Sequence, residues 1–527
     1  MNCFSAYILK YFQCFNCLKD KKQTPHDKFH ALKNKDPKQL KGYIHSEPNI
    51  VIVGAGAAGL ACAVELKAHG FESVRILESS GRVGGRIRTM KFADNYVDLG
   101  AQWVHGERQN IVFQMAKGKE LMGSTRELFL RLEWIRSNGQ RLTKSLSKKL
   151  LNVMTHIFQM RHKDLAEFNG TFGEYLVDKF TEEMSEPSAQ KIDREVAAEF
   201  LRTFKKMEGS AVDTDMSAAG FEDFHACHGD SLINFRNKGY RAFLHLLVEG
   251  DDMNELGLLK DCVEFNACVT KIDWDRLDGT VQLITDKGIT YEADHVVVTV
   301  SLGVLKQNPQ LFEPRLPLPK LRAINFMGFG TVTKIFVEFN EPFWQDNWPG
   351  FNAMWRTDDM YQPQLEWVAD IYGFHRYPFQ PRVLLGWAAG PHTDTIESID
   401  SKMLAQGVLY MLRRFLPKLK IPQPKLVTTS KWSKDPAYLG GYSYPTLLSK
   451  SYNVSAMDLL QPCNLMAYES YELQQSFVSI MPMTVRPILL FAGEATSPHH
   501  FSTVHGAVET GLREARRLIG YYMKDNY

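Results

Sequence analysis

The segment VIVGAGAAGLACAVELKAHGFESVRILESSGRVGGRIR, Val51 to Arg88, constrains the fold of this chain more than any other. A short apolar run, Ile50 to Val53, meets Gly54, Gly56 and Gly59, and helix-forming residues continue through about Ala68. Val74 to Leu77 give a second apolar run that ends in Glu78. Gly54 allows the tight turn, Gly56 lets backbone approach a pyrophosphate, and Gly59 permits close packing of helix on strand. The helix N-terminus directs N–H groups and a positive dipole end at the phosphates. Glu78 lies about 20 residues beyond the glycines, where a carboxylate accepts hydrogen bonds from ribose hydroxyls. Strand, glycines, helix, strand and acid in this order imply a site for an adenine dinucleotide.

A second loop follows the acid at once: Gly81, Arg82, Val83, Gly84, Gly85, Arg86. It offers backbone amides and two guanidinium groups near the phosphates, and Arg binds phosphate oxygens as a bidentate fork. A nicotinamide cofactor has no need of a second phosphate loop. At 527 residues the chain exceeds one core and divides into two domains or more. A formal net charge of +2 leaves no nucleic-acid footprint. The eight Cys lack regular spacing, which argues against a disulfide framework; no zinc pattern occurs and no metal is expected. That usage suits a reducing, cytoplasmic setting.

No segment reaches the roughly 18 uninterrupted apolar residues of a transmembrane helix. The first 47 residues differ in character: Met1 to Leu18 carries aromatics with Cys3, Cys14 and Cys17, and a Lys-rich stretch runs to about Lys41. Two readings stand, a disordered extension and a peripheral membrane anchor with acylated Cys beside basic residues. Lys524 to Tyr527 is not a peroxisomal tripeptide of the SKL type.

Downstream, Val263 to Ile272 and Val281 to Tyr291 alternate like two strands around a turn at Arg276 to Gly279. His295 to Val300 reads as an apolar strand followed by Ser301 and Gly303, a backbone wall for the cofactor. Pro487 to Ala492 reads as a buried strand, and Thr503 to Gly506 open a helix through Ile519. The fold class is α/β, two domains. A Rossmann-like dinucleotide domain takes 48–125, 246–330 and 461–527; a substrate domain of mixed sheet and helices takes 126–245 and 331–460.

Four blocks then carry a family resemblance: Asp98 to Gly106 (DLGAQWVHG), Gly328 to Trp344 (GFGTVTKIFVEFNEPFW), Trp432 to Tyr444 (WSKDPAYLGGYSY) and Phe491 to Gly506 (FAGEATSPHHFSTVHG). With the GG…GGR loop they make residues 48 to 520 resemble the flavin amine oxidase superfamily, in its polyamine oxidase branch. The resemblance implies FAD and a substrate that is a small polyamine oxidised at the expense of O2. Lys334 matches the lysine that holds a water beside flavin N5, and His105 matches an active-site histidine. As a strand residue, Lys334 is expected to point inward if Val332 points out. Ala58, Glu78, Arg86, Gln102, Trp103, Val269, Glu494, Thr503 and Val504 match contacts to FAD, beside Gly54, Gly56 and Gly59. Tyr442 matches an aromatic facing the flavin, and Trp432 one near it. Glu222 and Asp223 are candidates to bind the distal ammonium. Trp344, Trp348 and Trp355 read as core.

Departures sharpen the expectation. Gly440 and Gly441 are followed by Tyr442 where monoamine oxidases place a flavin-bearing Cys, so FAD is expected to be non-covalent. Ala437 stands where the family usually has a large aromatic, with Tyr438 one place later. A plant-type enzyme would carry an acid at His105, and histone demethylases carry a helical insertion for which there is no room. The resemblance implies hydride transfer from the carbon beside nitrogen, then hydrolysis to an aldehyde and a shorter amine, with release of peroxide. Two alternatives stay open: another flavin oxidase, such as one for amino acids, and a catalytically silent FAD protein. A monomer is expected.

Overall fold

A six-stranded sheet built from three distant parts of the chain holds the dinucleotide unit. Its order is Cys463–Met466, Val485–Phe491, His295–Val298, Ile50–Val53, Val74–Glu78, Val263–Phe265. All neighbours pair in parallel except the first two. This computed structural model describes residues 47–187, 189, 191–209, 213–466 and 485–523. The expected extension up to residue 46, with Cys3, Cys14 and Cys17, and the Lys524 to Tyr527 terminus lie outside the described residues.

Alternation along the central strand places its two faces in different cores. Ile50 and Ile52 pack with Leu60, Val64, Val508 and Leu512 from the helices Ala57–Ala68 and Val504–Tyr522. Val51 and Val53 face the opposite side, with Ile272, Leu283 and Phe491. The helix Ala57–Ala68 and the strand Val74–Glu78 agree with the sequence reading. The segment from Val263 to Tyr291 does not. Val263–Phe265 ends at Asn266, whose φ of 56° turns the chain out of the sheet. Val269–Asp273 then joins Val281–Thr285, Thr290–Ala293 and Phe312–Glu313 in a separate four-stranded sheet. Two expected strands are four, because Asn and Gly tolerate the left-handed region and break runs that alternation alone joins.

A second six-stranded sheet runs Leu426–Thr429, Thr333–Glu338, Val383–Ala388, Ile371–Arg376, Gly350–Met354, Glu133–Arg136. Only its last pair is parallel. Every residue of Thr333–Glu338 is buried, so both faces are covered. Ile335 and Val337 pack against the helix Ser401–Phe415 through Leu404, Val408 and Leu412. Phe336 faces the helices Lys144–Glu167, Phe172–Ser185 and Arg194–Glu208, through Phe158, Phe172 and Phe204. Trp344 and Trp355 are core residues, with Trp348 partly buried against them. Among the described residues, no helix is long and apolar enough to cross a membrane.

The two helices of the dinucleotide half meet at Gly511, where a Cβ would lie 2.1 Å from the carbonyl oxygen of Ala58. Backbone on both sides cannot yield as a side chain does. Gly511→Ala is therefore expected to cost about 1–3 kcal/mol, read as a lowered thermal midpoint.

Candidate active site

A single cleft runs along the C-terminal ends of the first sheet and reaches the strand that bears Lys334. Gly54, Gly56, Ala58, Glu78, Arg86, Gln102, Trp103, His105, Lys334, Trp432, Tyr442, Glu494, Thr503 and Val504 all line it. Gly59 does not, and it acts by packing: its Cβ would lie 2.0 Å from the carbonyl oxygen of Gly54. Val269, in the four-stranded sheet, and Glu222, after the short helix Ala218–Phe221, are not among the lining residues. Asp223 pairs with Lys450 Nζ at 2.8 Å.

At the nucleotide end the Glu78 carboxylate is buried and held from two sides. Its Oε2 accepts from Ala55 N at 2.8 Å, and its Oε1 from Ser80 N at 2.8 Å. The helix Ala57–Ala68 has Gly56 at its N-cap with no side-chain hydrogen bond, so its first-turn amides face the cavity without a cap. Arg82 differs from expectation. Its guanidinium donates to the carbonyls of Val83, Ile87 and Gly85 and to Tyr438 Oη, so it braces the loop and does not line the cavity. Arg86 donates to Glu494 Oε1 at 2.7 Å and to Gly441 O at 2.8 Å. Burial works against ionisation of Glu494, but Arg86 and hydrogen bonds from Ser443 and Ser502 hold its carboxyl below the usual range.

Lys334 is buried, and its Nζ donates to Asp98 O at 2.7 Å, Gly100 O at 2.7 Å and Gln102 Oε1 at 2.9 Å. Three acceptors match the three hydrogens of an ammonium, so a water would join only by displacing one of them. Lys334 points inward as expected, but the condition attached to it does not hold, since Val332 lines the same cavity. Residues two apart on a strand share a face. Across the ladder Lys334 is paired with Trp387, and its Nζ sits 4.8 Å from that ring's centroid. The Trp387 ring stacks on Trp103 at 5.1 Å. Burial pushes the Asp98 carboxyl up to about 6 against the pull of Thr89 and Lys334.

His105 follows the short strand Trp103–Val104, with its Nδ1 3.0 Å from Ser231 O. Trp432 Nε1 donates to Leu99 O at 3.2 Å. Tyr438, beside Ala437, packs edge-on against Trp432 and also lines the cavity, as do Thr299, Val300 and Ser301. Sequence reasoning missed Trp387 and His375: the stretch from about 331 to 460 reads as helical patterns with Trp and Tyr clusters, whereas both residues lie in strands, Val383–Ala388 and Ile371–Arg376. His375 lines a small apolar cavity that shares Trp103 and Trp387 with the large one.

Residues 57–519 match the flavin containing amine oxidoreductase family. The chain belongs to that family. It is 29% identical over 514 residues to the human peroxisomal N(1)-acetyl-spermine/spermidine oxidase, covering 90% of this chain and 95% of that one. A probable polyamine oxidase 5 of Arabidopsis thaliana is 27% identical over 550 residues, covering 90% and 98%. These relatives bear out the resemblance to the polyamine oxidase branch. A solved putrescine oxidase variant with redesigned cofactor binding shares the fold, with a TM-score of 0.61 at 19% identity, over 90% of this chain and 99% of that one. The protein is an FAD-dependent amine oxidase. Its residues fit that cofactor: a Cβ on Gly56 would meet nothing within 4 Å, which leaves the space a pyrophosphate needs. Gln102 Nε2 and Trp103 Nε1 are buried at the cavity wall without a protein acceptor, which suits a ring bearing carbonyl oxygens.

His375 gives the site a pH signature. Burial, and then the charge of Lys334, push its imidazole down to about 3 from an ordinary 6.5. On acidification below 6.5 the unfolded chain takes up a proton that the folded chain refuses, so stability is lost as pH falls. From pH 6 to 5 the wild type should lose up to about 1.4 kcal/mol more than His375→Gln, seen as a steeper fall of its denaturation midpoint.

Proposed function

We propose that this chain oxidises spermine, spermidine or their N1-acetyl derivatives, releasing an aminoaldehyde, a shorter amine and hydrogen peroxide. The observation that carries the reading is the aromatic lining of the cavity at its Lys334 end: Trp387 lies over the ammonium and stacks on Trp103, and Trp432 and Tyr442 line the same cavity. Among the described residues, the carboxylates lining the cavity are Glu78 and Glu494, both engaged by other groups, and Glu222 stands outside the lining. A cationic amine entering here meets ring faces, each worth roughly 0.5–2 kcal/mol. Bound FAD supplies the acceptor for two electrons and passes them to O2. The chain's own groups set the protonation state of the amine. Burial and the Lys334 charge both disfavour a second cation beside it, which favours the neutral amine whose lone pair assists oxidation. His105, oriented through Nδ1, is positioned to bond the substrate nitrogen.

The names of the relatives support the polyamine class. An amino-acid substrate is disfavoured, because Arg86, the one guanidinium among the described lining residues, is paired with Glu494. We further propose non-covalent attachment of FAD, since Tyr442 follows the glycine pair. The division is proposed as FAD-binding segments 48–125, 246–330 and 461–527 with substrate-binding segments 126–245 and 331–460. A monomer in the cytoplasm is proposed; the described Cys62, Cys227, Cys262, Cys268 and Cys463 are all free thiols.

Spermine and N1-acetylspermine are expected to bleach the bound flavin without oxygen and to yield peroxide with it, whereas a non-amine control does neither. Failure of both amines to bleach it would end the reading. Lys334→Met should keep FAD but slow its reduction or reoxidation on the order of 100-fold, measured by stopped-flow absorbance. Acid precipitation should leave the yellow colour in the supernatant.

A further inference from the structure

We propose that Cys227, His500 and His505 form a site for one divalent transition-metal ion of the zinc type, apart from the flavin cavity. Neither Cys227 nor His500 lines that cavity, and the flavin reaction uses none of the three. One ligand atom from each lies within 4.8 Å of the others, and Cys227 Sγ is 3.7 Å from His505 Nε2. With metal–sulfur and metal–nitrogen bonds of about 2.3 and 2.0–2.1 Å, tetrahedral coordination sets those two atoms about 3.6 Å apart. The third ligand atom lies within 4.8 Å of the others, so closing it onto the ion takes a side-chain shift of up to about 1.2–1.4 Å by the same bond lengths. Cys227 and His505 are buried, while the side chain of His500 retains 20% exposure, which leaves a fourth position for water.

The surroundings resemble the support that metal-binding imidazoles receive. His500 Nδ1 donates to Glu509 Oε2 at 2.6 Å, so Nε2 is the nitrogen it would give the metal. His505 Nδ1 receives a long contact of 3.4 Å from Asn110 Nδ2. A metal on Nε2 places the ring proton on Nδ1, so this contact must open. Asn110 keeps its bond to His105 O at 3.0 Å and its cap to Val112 N at 3.0 Å. Soft thiolate with imidazole selects zinc or cobalt over magnesium or calcium.

The test is titration of the full-length, FAD-loaded protein with Zn²⁺ and with Co²⁺, beside Cys227→Ser, His500→Asn and Glu509→Gln. Wild type should hold one more equivalent of Zn²⁺ than Cys227→Ser or His500→Asn, releasing protons as it binds. The comparison also separates this site from Cys3, Cys14 and Cys17, which every variant keeps. Co²⁺ should give tetrahedral d–d bands at wavelengths beyond flavin absorption, absent in Cys227→Ser. Glu509→Gln, which changes no ligand, should weaken Zn²⁺ binding by about 10- to 100-fold. Equal Zn²⁺ uptake by wild type and Cys227→Ser, or Co²⁺ spectra without tetrahedral bands, would overturn the proposal. Flavin absorbance and thermal midpoints show that each variant is folded.

Discussion

The active site depends on one buried ammonium. Isolating Lys334 from water costs several kcal/mol unless hydrogen bonds replace those it loses. Here the backbone carbonyls of Asp98 and Gly100 and the amide oxygen of Gln102 do so. The same three bonds fasten the loop after the strand Asn95–Asp98 to the second sheet. They align Gln102, Trp103 and His105, which follow within a few residues, against the wall made by Trp387. A lysine of the second sheet thus ties that sheet to the loop that follows Asp98.

Charge compensation recurs throughout the cavity. Arg86 is balanced by Glu494, and Glu78 is held by backbone amides at its own turn. These groups are set before any ligand arrives, so little rearrangement accompanies binding. What remains exposed toward the Lys334 end is largely indole and phenol surface.

Much of this was legible in the sequence, for identifiable reasons. The dinucleotide unit was readable because its strand, glycines, helix and acid are close in sequence and their spacing is fixed by sterics. Lys334 was readable only through resemblance, since a strand lysine otherwise belongs on a surface; its inward direction does not depend on Val332 pointing out, because both line the cavity. Asn266 was read as part of a strand, although its left-handed conformation sends the chain into another sheet. Arg82 looked like a phosphate ligand because its type and position fit, whereas its bonds close on its own loop. Trp387 and His375 carried no signal at all. Only strand pairing brings Trp387 opposite Lys334, and register of that kind is not encoded locally.

The parallel sheet has one further consequence. Its strand Val485–Phe491 and the helix Val504–Tyr522 come from the last part of the chain, yet they flank Ile50–Val53 and Ala57–Ala68 near its beginning. During synthesis the N-terminal glycine turn therefore emerges hundreds of residues before the pieces that cover it. Non-local pairing of this kind is slow and leaves apolar strand faces open to misassociation. Nascent chains should accordingly lean on chaperones until that strand and helix have emerged, and the vitamin-derived cofactor can be captured only from then on.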